Sequence, residues 1–222
     1  YNSVRIKICF RRSAMNENIN PFEGIKPKIM EAGCDCVDSS WHRFVAFFPY
    51  YRIYYIVSGH AIIFLENNKK LELVPGNLYF IPAFSLFDAH CDQILKHYWI
   101  HFNLDITTAS YLSVFQTKNI VPALPTDEPI MELLTNIVRK PEDQKGISDR
   151  LASEGLLRFL ISKFLPENSD DVYASSARFV PVLKYIDDNI QNQITNTKLS
   201  ELMYVSTTYF LSLYTSDAAD DL

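Results

Sequence analysis

One cation stands among aromatic and aliphatic side chains in the middle of the sequence. In the strand-like run 52–57, alternation places Arg52 and Tyr54 on the same face. A guanidinium group and a phenol on the wall of an apolar cavity can bind the polar groups of a sugar or a carboxylate. We therefore predict an effector-binding site, in which aromatic rings supply stacking surface. Its candidate residues are Trp41, Arg52, Tyr54, Tyr79 and Trp99.

These rings have a competing interpretation, because aromatic residues in strands usually pack against their neighbours in the core. Both faces of the run 52–57 are apolar, so alternation alone does not decide which face points inward. Core packing therefore stays the alternative for Trp41, Tyr79 and Trp99.

The histidines and cysteines do not follow a metal-binding pattern. His97 and His101 share one face of a predicted strand, but they lie about 13 Å apart at roughly 3.3 Å per residue. The pair Cys34-x-Cys36 is tighter than the usual C-x-x-C spacing. No nucleophile motif and no phosphate-binding glycine loop is present. We therefore expect no catalytic site, no metal ligands and no cofactor.

A second chemically suggestive segment runs from Leu199 to Tyr214. Apolar residues at helical spacing predict one helix that ends at Met203, and Ser206 has the side chain of an N-cap for a second helix. In a helix-turn-helix motif, the second helix enters the major groove of DNA and the first crosses the backbone. An ordinary pair of packed helices has the same pattern.

The strands that would hold the effector site are predicted between Phe44 and Leu104. Short β-branched and aromatic runs alternate there with Gly, Pro and Asn, which is typical of antiparallel strands that close into a jelly roll or barrel. A turn is predicted at Ser58-Gly59. After Asp105 the spacing becomes helical and predicts three amphipathic helices, over residues 111–115, 130–137 and 151–165.

The last predicted helix has a wide apolar face, which we expect either to cover the barrel or to pair with a second subunit, and core packing alone is the alternative. A polar stretch without periodicity, residues 166–177, then predicts a linker. It leads to a helix over residues 179–190, and Asn196 or Thr197 is the predicted cap of the next helix. Residues 178–215 contain three cations and three anions, a weak charge balance for binding phosphates.

Composition limits the classes of protein that remain. With 222 residues, 48% of them hydrophobic, the chain can build two modest domains. Its net charge of −5 argues against unselective coating of nucleic acid. It has four cysteines, and no apolar run approaches the roughly 20 residues that span a bilayer. We expect a soluble, reduced, cytoplasmic protein that has no membrane contact.

The order of these segments resembles that of the AraC-type transcriptional regulators. The resemblance is carried by YRIYYIVSGHAIIFLENNKKLELVPGNLYFIP, by the later YWIHF, and by RFVPVLKYIDDNIQNQITNTKLSELMYVSTTYF. It covers roughly Asn20 to Tyr214. It implies a cupin-like N-terminal domain that senses a small molecule or mediates dimerisation, and a C-terminal domain with two helix-turn-helix units that bind promoter DNA.

By this resemblance, the first recognition helix carries the DNA-binding candidates, with Leu202 and Tyr209 in the core between the helices. The candidates are Ser206, Thr207, Thr208, Leu211 and Ser212. The family usually has an arginine and a lysine late in this helix, whereas Ser212 and Thr215 stand here. These changes and the acidic residues that follow are expected to weaken phosphate contacts.

The two ends of the chain differ in character from the rest. Residues 1–14 contain four cations and no acid, and Met15 opens a segment that reads as a natural start. We expect Met15 to be the initiator, and we expect the acidic tail at 216–222 to be foreign to a C-terminally truncated regulator that lacks its second helix-turn-helix unit.

The predicted fold class is α+β: a cupin-like antiparallel β-barrel followed by helices, then a C-terminal helix-turn-helix fragment. The predicted divisions are an extension (1–19), an effector-binding and dimerisation domain (20–165), a linker (166–177), a partial DNA-binding domain (178–215) and a tail (216–222). The expected partners are promoter DNA in the full-length protein, a small-molecule effector, and a second copy bound through helices in 129–165. The alternative is a stand-alone cupin that binds a small molecule without a role at DNA.

Overall fold

The computed structural model describes residues 27–43, 48–65, 69–105, 108–109, 112, 117–165 and 179–217. Its strands are β1 (Lys28–Asp38), β2 (His42–Arg43), β3 (Tyr51–Leu65), β4 (Lys70–Leu73), β5 (Asn77–Ile81), β6 (Leu86–Asn103) and β7 (Ile120–Pro122). They form one sheet with the order β1-β6-β3-β5-β7, in which β2 also pairs with β6 and β4 with β3. Every pairing is antiparallel.

Strands β3 and β6 form the long central pair of this sheet. Their register begins with Tyr51 opposite Phe102 and contains three irregularities, one of them directly after Gly59. The turn predicted at Ser58-Gly59 is therefore wrong, because β3 continues through both residues. Gly59 has a φ of +92°, and the bulge beside it lets the strand bend without ending.

The predicted closed barrel is not formed by the described strands, since their order has two ends, at β1 and β7. β1 also lies upstream of the region from Phe44 to Leu104 in which strands are predicted. Glycine and acidic residues interrupt its apolar pattern, so it gives a weak strand signal. An antiparallel sheet combined with helices nevertheless agrees with the α+β class.

Two helices, α1 (Asp127–Val138) and α2 (Ile147–Ser162), cover one face of the sheet. The core between sheet and helices contains buried residues from both layers: Ile53, Leu78, Phe80, Ile100 and Phe102 from the strands, and Met131, Leu134, Leu157, Leu160 and Ile161 from the helices. The helices predicted over 130–137 and 151–165 are thus present. The one predicted over 111–115 lies largely outside the described residues.

The helices of the predicted dimer contact, in residues 129–165, also contribute to the core, so only their outer faces could bind a second copy. Their inner faces pack on the sheet, whereas Leu133, Leu151 and Phe159 are exposed on the outer side. Dimerisation stays a prediction.

The opposite face of the sheet has its own apolar cluster. It contains Tyr54, Ile56, Ile63, Leu71, Leu73, Tyr79, Ile81 and Leu95, with Trp41, Phe48 and Trp99 packed against it. Both faces of β3 therefore carry buried side chains. This double burial is the reason that alternation along β3 could not separate an inside from an outside.

The described C-terminal residues form a separate small core. Helices α3 (Val180–Asp188), α4 (Asn196–Leu202) and α5 (Thr207–Asp217) bury Val182, Leu199, Met203 and Phe210 together. The predicted cap at Asn196 or Thr197 is wrong, since the hydroxyl of Thr195 accepts the hydrogen bond from the amide of Lys198. The predicted linker lies outside the described residues. None of the helices in the described parts is long and apolar enough to cross a membrane.

Candidate functional site

A half-open cavity of about 380 Å³ lies on the face of the sheet opposite α1 and α2, and strands β1, β3 and β6 supply most of its wall. Four of the five predicted effector residues line it: Trp41, Arg52, Tyr54 and Trp99. Tyr79 does not. It is fully buried, and its hydroxyl donates to the carbonyl of Glu72 at 2.7 Å and accepts from the amide of Val74 at 2.9 Å. Tyr79 therefore holds the turn between β4 and β5.

The strand register explains how the lining residues meet. Every second residue of neighbouring strands shares one face, so the cavity wall is built in rows across β3, β6 and β1. From one end, the rows are Arg52-His101-Glu31, then Tyr54-Trp99-Gly33, then Ile56-His97-Asp35. Sequence reasoning missed the contributions of β6 and β1 because the residues of one row come from three strands and lie 21 to 70 positions apart along the chain.

Arg52 forms the cationic end of the cavity. It is only 2% exposed, and its Cζ lies 4.4 Å from the ring centroid of Phe48 and 4.8 Å from that of Tyr50. These cation–π contacts offset part of the cost of burying the charge. Within the described structure, its Nη2 is buried and has no hydrogen-bond partner. The guanidinium is therefore incompletely compensated.

His101 lies beside this cation and is held by an acid. Its Nδ1 is 2.8 Å from Oε1 of Glu31, and its ring lies between Tyr50 and Trp99, with centroids 4.7 Å and 4.6 Å away. Burial lowers the pKa of His101, and the hydrogen bond with Glu31 opposes that shift. Glu31 is thus engaged with the histidine.

His97 occupies the other end of the cavity. It is 4% exposed, and its Nδ1 is buried without a hydrogen-bond partner in the described structure. Burial lowers the pKa of His97 to about 4, and the charge of Asp35 opposes the shift. At neutral pH this ring is uncharged and, depending on its tautomer, Nδ1 donates or accepts a hydrogen bond.

The indole of Trp99 separates the two ends. Its Nε1 donates to Oδ2 of Asp35 at 2.7 Å, which fixes the ring across β1. A Cβ added at Gly33 would lie 2.7 Å from the indole, so glycine leaves the space that this ring occupies. The middle of the cavity is consequently an ordered aromatic wall.

The remaining histidines lie away from this cavity. His42 and His90 face each other between β2 and β6, with ring centroids 6.1 Å apart, and Nε2 of His42 is 3.5 Å from Oδ1 of Asp88. Among the described residues, no three His, Cys, Asp or Glu side chains are arranged to hold a metal ion.

Of the five DNA-binding candidates, Ser206 directly precedes α5, and the other four lie in the first half of this helix. The hydroxyl of Ser206 accepts from the amide of Tyr209 at 3.2 Å and so caps α5 as predicted. Thr207 is half-buried, with its Oγ1 3.0 Å from Oγ of Ser200 in α4, which ties the two helices together. The other three candidates, Thr208, Leu211 and Ser212, are exposed.

The expectation that Tyr209 packs in the core between these helices is wrong. Tyr209 is 48% exposed, and Phe210 is the residue of α5 that is buried, at 2% exposure, against Val182, Leu199 and Met203. Packing of this one ring sets the rotation of the helix, because neighbouring residues point about 100° apart around its axis. Leu202 packs at the edge of the same core.

Comparisons with known proteins add low-level structural similarity. The chain is similar to a cupin superfamily protein from Desulfitobacterium hafniense, with 16% identity over 34% of this chain and 74% of that one, and a TM-score of 0.29. It is similar to ToxT from Vibrio cholerae with 10% identity over 85% of this chain and 75% of that one, and a TM-score of 0.41. No family model and no curated protein matches the sequence. These similarities assign neither a family nor a function.

The buried His97 predicts that acid destabilises the fold. The imidazole of His97 has a pKa of 6.5 in the unfolded chain but of about 4 in the folded chain. The unfolded chain therefore binds this proton first, and the stability that the neutral ring allows above pH 6.5 is lost as the pH falls towards 4. His97→Gln is expected to reduce the difference in unfolding free energy between pH 7 and pH 4 by about 3 kcal/mol. Urea denaturation at both pH values measures this difference. His60→Gln, at a side chain that is 41% exposed, is the control. If His97→Gln left the difference in unfolding free energy between pH 7 and pH 4 unchanged, His97 would not be the source of the acid sensitivity.

Proposed function

We propose that this chain is a transcriptional regulator of AraC type, in which a small molecule bound in the cavity changes how the C-terminal helices meet promoter DNA. Such coupling requires that the ligand favours one arrangement of the two units over another. The role is that of a binding protein and not of an enzyme. Dimerisation through the outer faces of α1 and α2, where Leu133, Leu151 and Phe159 are exposed, belongs to the same proposal.

One observation supports this proposal most directly: a single chain carries a cavity with an unsatisfied buried cation and, beyond residue 178, a capped helix pair with its own core. The first feature suits a ligand sensor. The second suits a recognition helix, because Thr208, Leu211 and Ser212 are exposed on α5 while Phe210 anchors it. Hydroxyl and small apolar side chains on such a helix can contact base edges and phosphates.

An electrophoretic mobility shift with DNA from upstream of the coding sequence tests the DNA-binding half. We expect Thr208→Glu to weaken binding about tenfold or more, because an added anion on the exposed side of α5 is repelled by phosphates. Gln144→Glu adds the same charge at an exposed position of the 3₁₀ turn Glu142–Gln144 and is the matched control. Binding should also fall steeply as the salt concentration rises.

A stand-alone cupin that binds a small molecule is the second candidate. It is favoured by the equal numbers of cations and anions in residues 178–215, since phosphate-binding surfaces usually carry an excess of Lys and Arg. Equal mobility shifts for Thr208→Glu and Gln144→Glu, or no sequence-preferring shift at moderate salt, would support this candidate over the regulator.

A further inference from the structure

We infer that the ligand of the cavity is a planar aromatic monocarboxylate with a hydroxyl group at its far end, an acid of the hydroxycinnamate class. This inference rests on the proposed role of the cavity as a ligand site. Three features of the wall carry it: an unsatisfied cation at one end, an aromatic middle, and an unsatisfied neutral histidine at the other end.

The cationic end calls for an anion. A buried guanidinium without a full set of acceptors costs several kcal/mol, and a carboxylate supplies the missing acceptors in a bidentate geometry. Phe48 and Tyr50 shield Arg52 from water, so an ion pair formed there is stronger than one formed at the surface. A neutral sugar would leave this charge uncompensated.

The acids of the cavity wall limit the charge of the ligand. Glu31 and Asp35 line the same cavity and are held by His101 and Trp99 respectively. These two carboxylates would repel a ligand with two negative charges, such as a phosphate monoester. One negative charge, placed at the guanidinium of Arg52, is therefore the favoured state of the ligand.

The middle of the cavity calls for a flat body. Tyr54 and Trp99 are paired across β3 and β6, and Trp41 lies beside the ring of His97 at a centroid distance of 6.0 Å. The indole of Trp99 is fixed by its hydrogen bond to Asp35. Ordered rings of this kind bind planar π systems by stacking.

The far end calls for a single polar group. Arg52 is opposite His101 in the register and Ile56 is opposite His97, so the two polar ends are four residues apart, roughly 13 Å between Cα positions. Both residues line the cavity, and an extended hydroxylated cinnamic acid is a ligand that can bridge its two ends. Its phenol can bond to Nδ1 of His97, which is otherwise unsatisfied in the described structure.

Isothermal titration calorimetry with the whole chain and three probes tests the inference without any mutation. The probes are 4-hydroxycinnamate, cinnamate, which lacks the far hydroxyl, and 4-hydroxycinnamyl alcohol, which lacks the carboxylate. We expect the alcohol to bind about 100-fold more weakly than 4-hydroxycinnamate, and cinnamate about tenfold more weakly, since each leaves one buried polar group unpaired. L-arabinose serves as the neutral sugar probe.

Variants then locate the two ends of the ligand. Arg52→Gln should weaken 4-hydroxycinnamate about 100-fold, whereas Lys28→Gln, at an exposed cation of β1 outside this cavity, should not change it. His97→Phe, which has no hydrogen-bonding group in its side chain, should remove the preference for 4-hydroxycinnamate over cinnamate while leaving cinnamate binding nearly unchanged. A cooperative thermal unfolding transition verifies that each variant is folded. If Arg52→Gln does not fold, Arg52→Lys is measured instead.

Equal binding of the acid and the alcohol, tighter binding of arabinose, or no heat with any probe would overturn the inference. Unchanged acid binding by Arg52→Gln would do the same. These outcomes are independent of the mobility shift. Sequence-specific DNA binding without acid binding would overturn the ligand class alone, whereas acid binding without any DNA binding would support it and count against the regulator.

Discussion

Replacing Lys163 with methionine is expected to lower the free energy of unfolding by about 3–5 kcal/mol, because it leaves the charge of Asp127 buried without its counter-ion. Asp127 is fully buried at the start of α1. Nζ of Lys163 lies 2.8 Å from its Oδ1 and donates to its Oδ2 at 3.0 Å, and that Oδ2 also accepts from the amide of Leu124 at 2.7 Å. One carboxylate thus joins the end of α2 to the beginning of α1.

Urea denaturation of the variant measures the effect, and Lys140→Met provides the matched control. Lys140 forms an ion pair with Asp149 at 2.7 Å, but its side chain is 44% exposed, so this replacement should cost much less than the replacement of Lys163. The double variant Asp127→Asn with Lys163→Met should recover part of the loss, because it removes the buried charge. Similar losses for the two lysine replacements would show that the Asp127 pair is not desolvated.

Gly59→Ala is expected to destabilise the sheet by about 3 kcal/mol or more, since it combines an unfavourable backbone conformation with a steric clash. A Cβ built at Gly59 would lie 1.9 Å from the carbonyl oxygen of Ile94, an atom of β6 that cannot rotate away. The φ of +92° is itself costly for any residue with a side chain. Relieving the clash would therefore require the central pair of strands to separate locally.

Gly76→Ala separates these two contributions. Gly76 also has a positive φ, of +82°, but no atom lies within 4 Å of the position that its Cβ would occupy. Only the backbone cost remains there, about 1–2 kcal/mol. Thermal or urea unfolding of both variants gives the difference, which is the contribution of the contact with Ile94. Equal losses would mean that β3 and β6 can move apart at Gly59 without cost.

Much of the fold follows from local patterns. The runs that became β4 and β5, and the helices α1 and α2, were predictable because their apolar residues repeat with the period of a strand or a helix. Ser206 was identifiable as a cap because its side chain competes for backbone amides wherever it precedes a helix. These signals depend only on neighbours within a few residues.

The cavity was only partly predictable. Arg52 and Tyr54 could be placed on one strand face, but His97 and His101 were considered only as metal ligands, and Glu31 lies on a strand without a clear pattern. Tyr79 was chosen for its ring, although its hydroxyl binds the backbone of the β4–β5 turn. Tyr79 pairs with Tyr54 across β3 and β5, so both rings lie on the same face of the sheet. The sequence alone could not show that only Tyr54 lines the cavity.

Local patterns were enough to predict the strands β4 and β5, the helices α1 and α2, the start of α5, and an arginine among aromatic residues. They did not predict β1 or the continuation of β3 through Gly59. Tertiary structure alone decided that Arg52 faces a cavity, that Glu31 and His97 complete its wall, and that Phe210 replaces Tyr209 in the small core. The periodicity of apolar residues shows that one face of a strand or helix is buried, but it does not show which element packs against that face. The packing partner depends on pairing between strands that are distant in sequence and on the close packing of single rings. Neither is visible in a local sequence pattern.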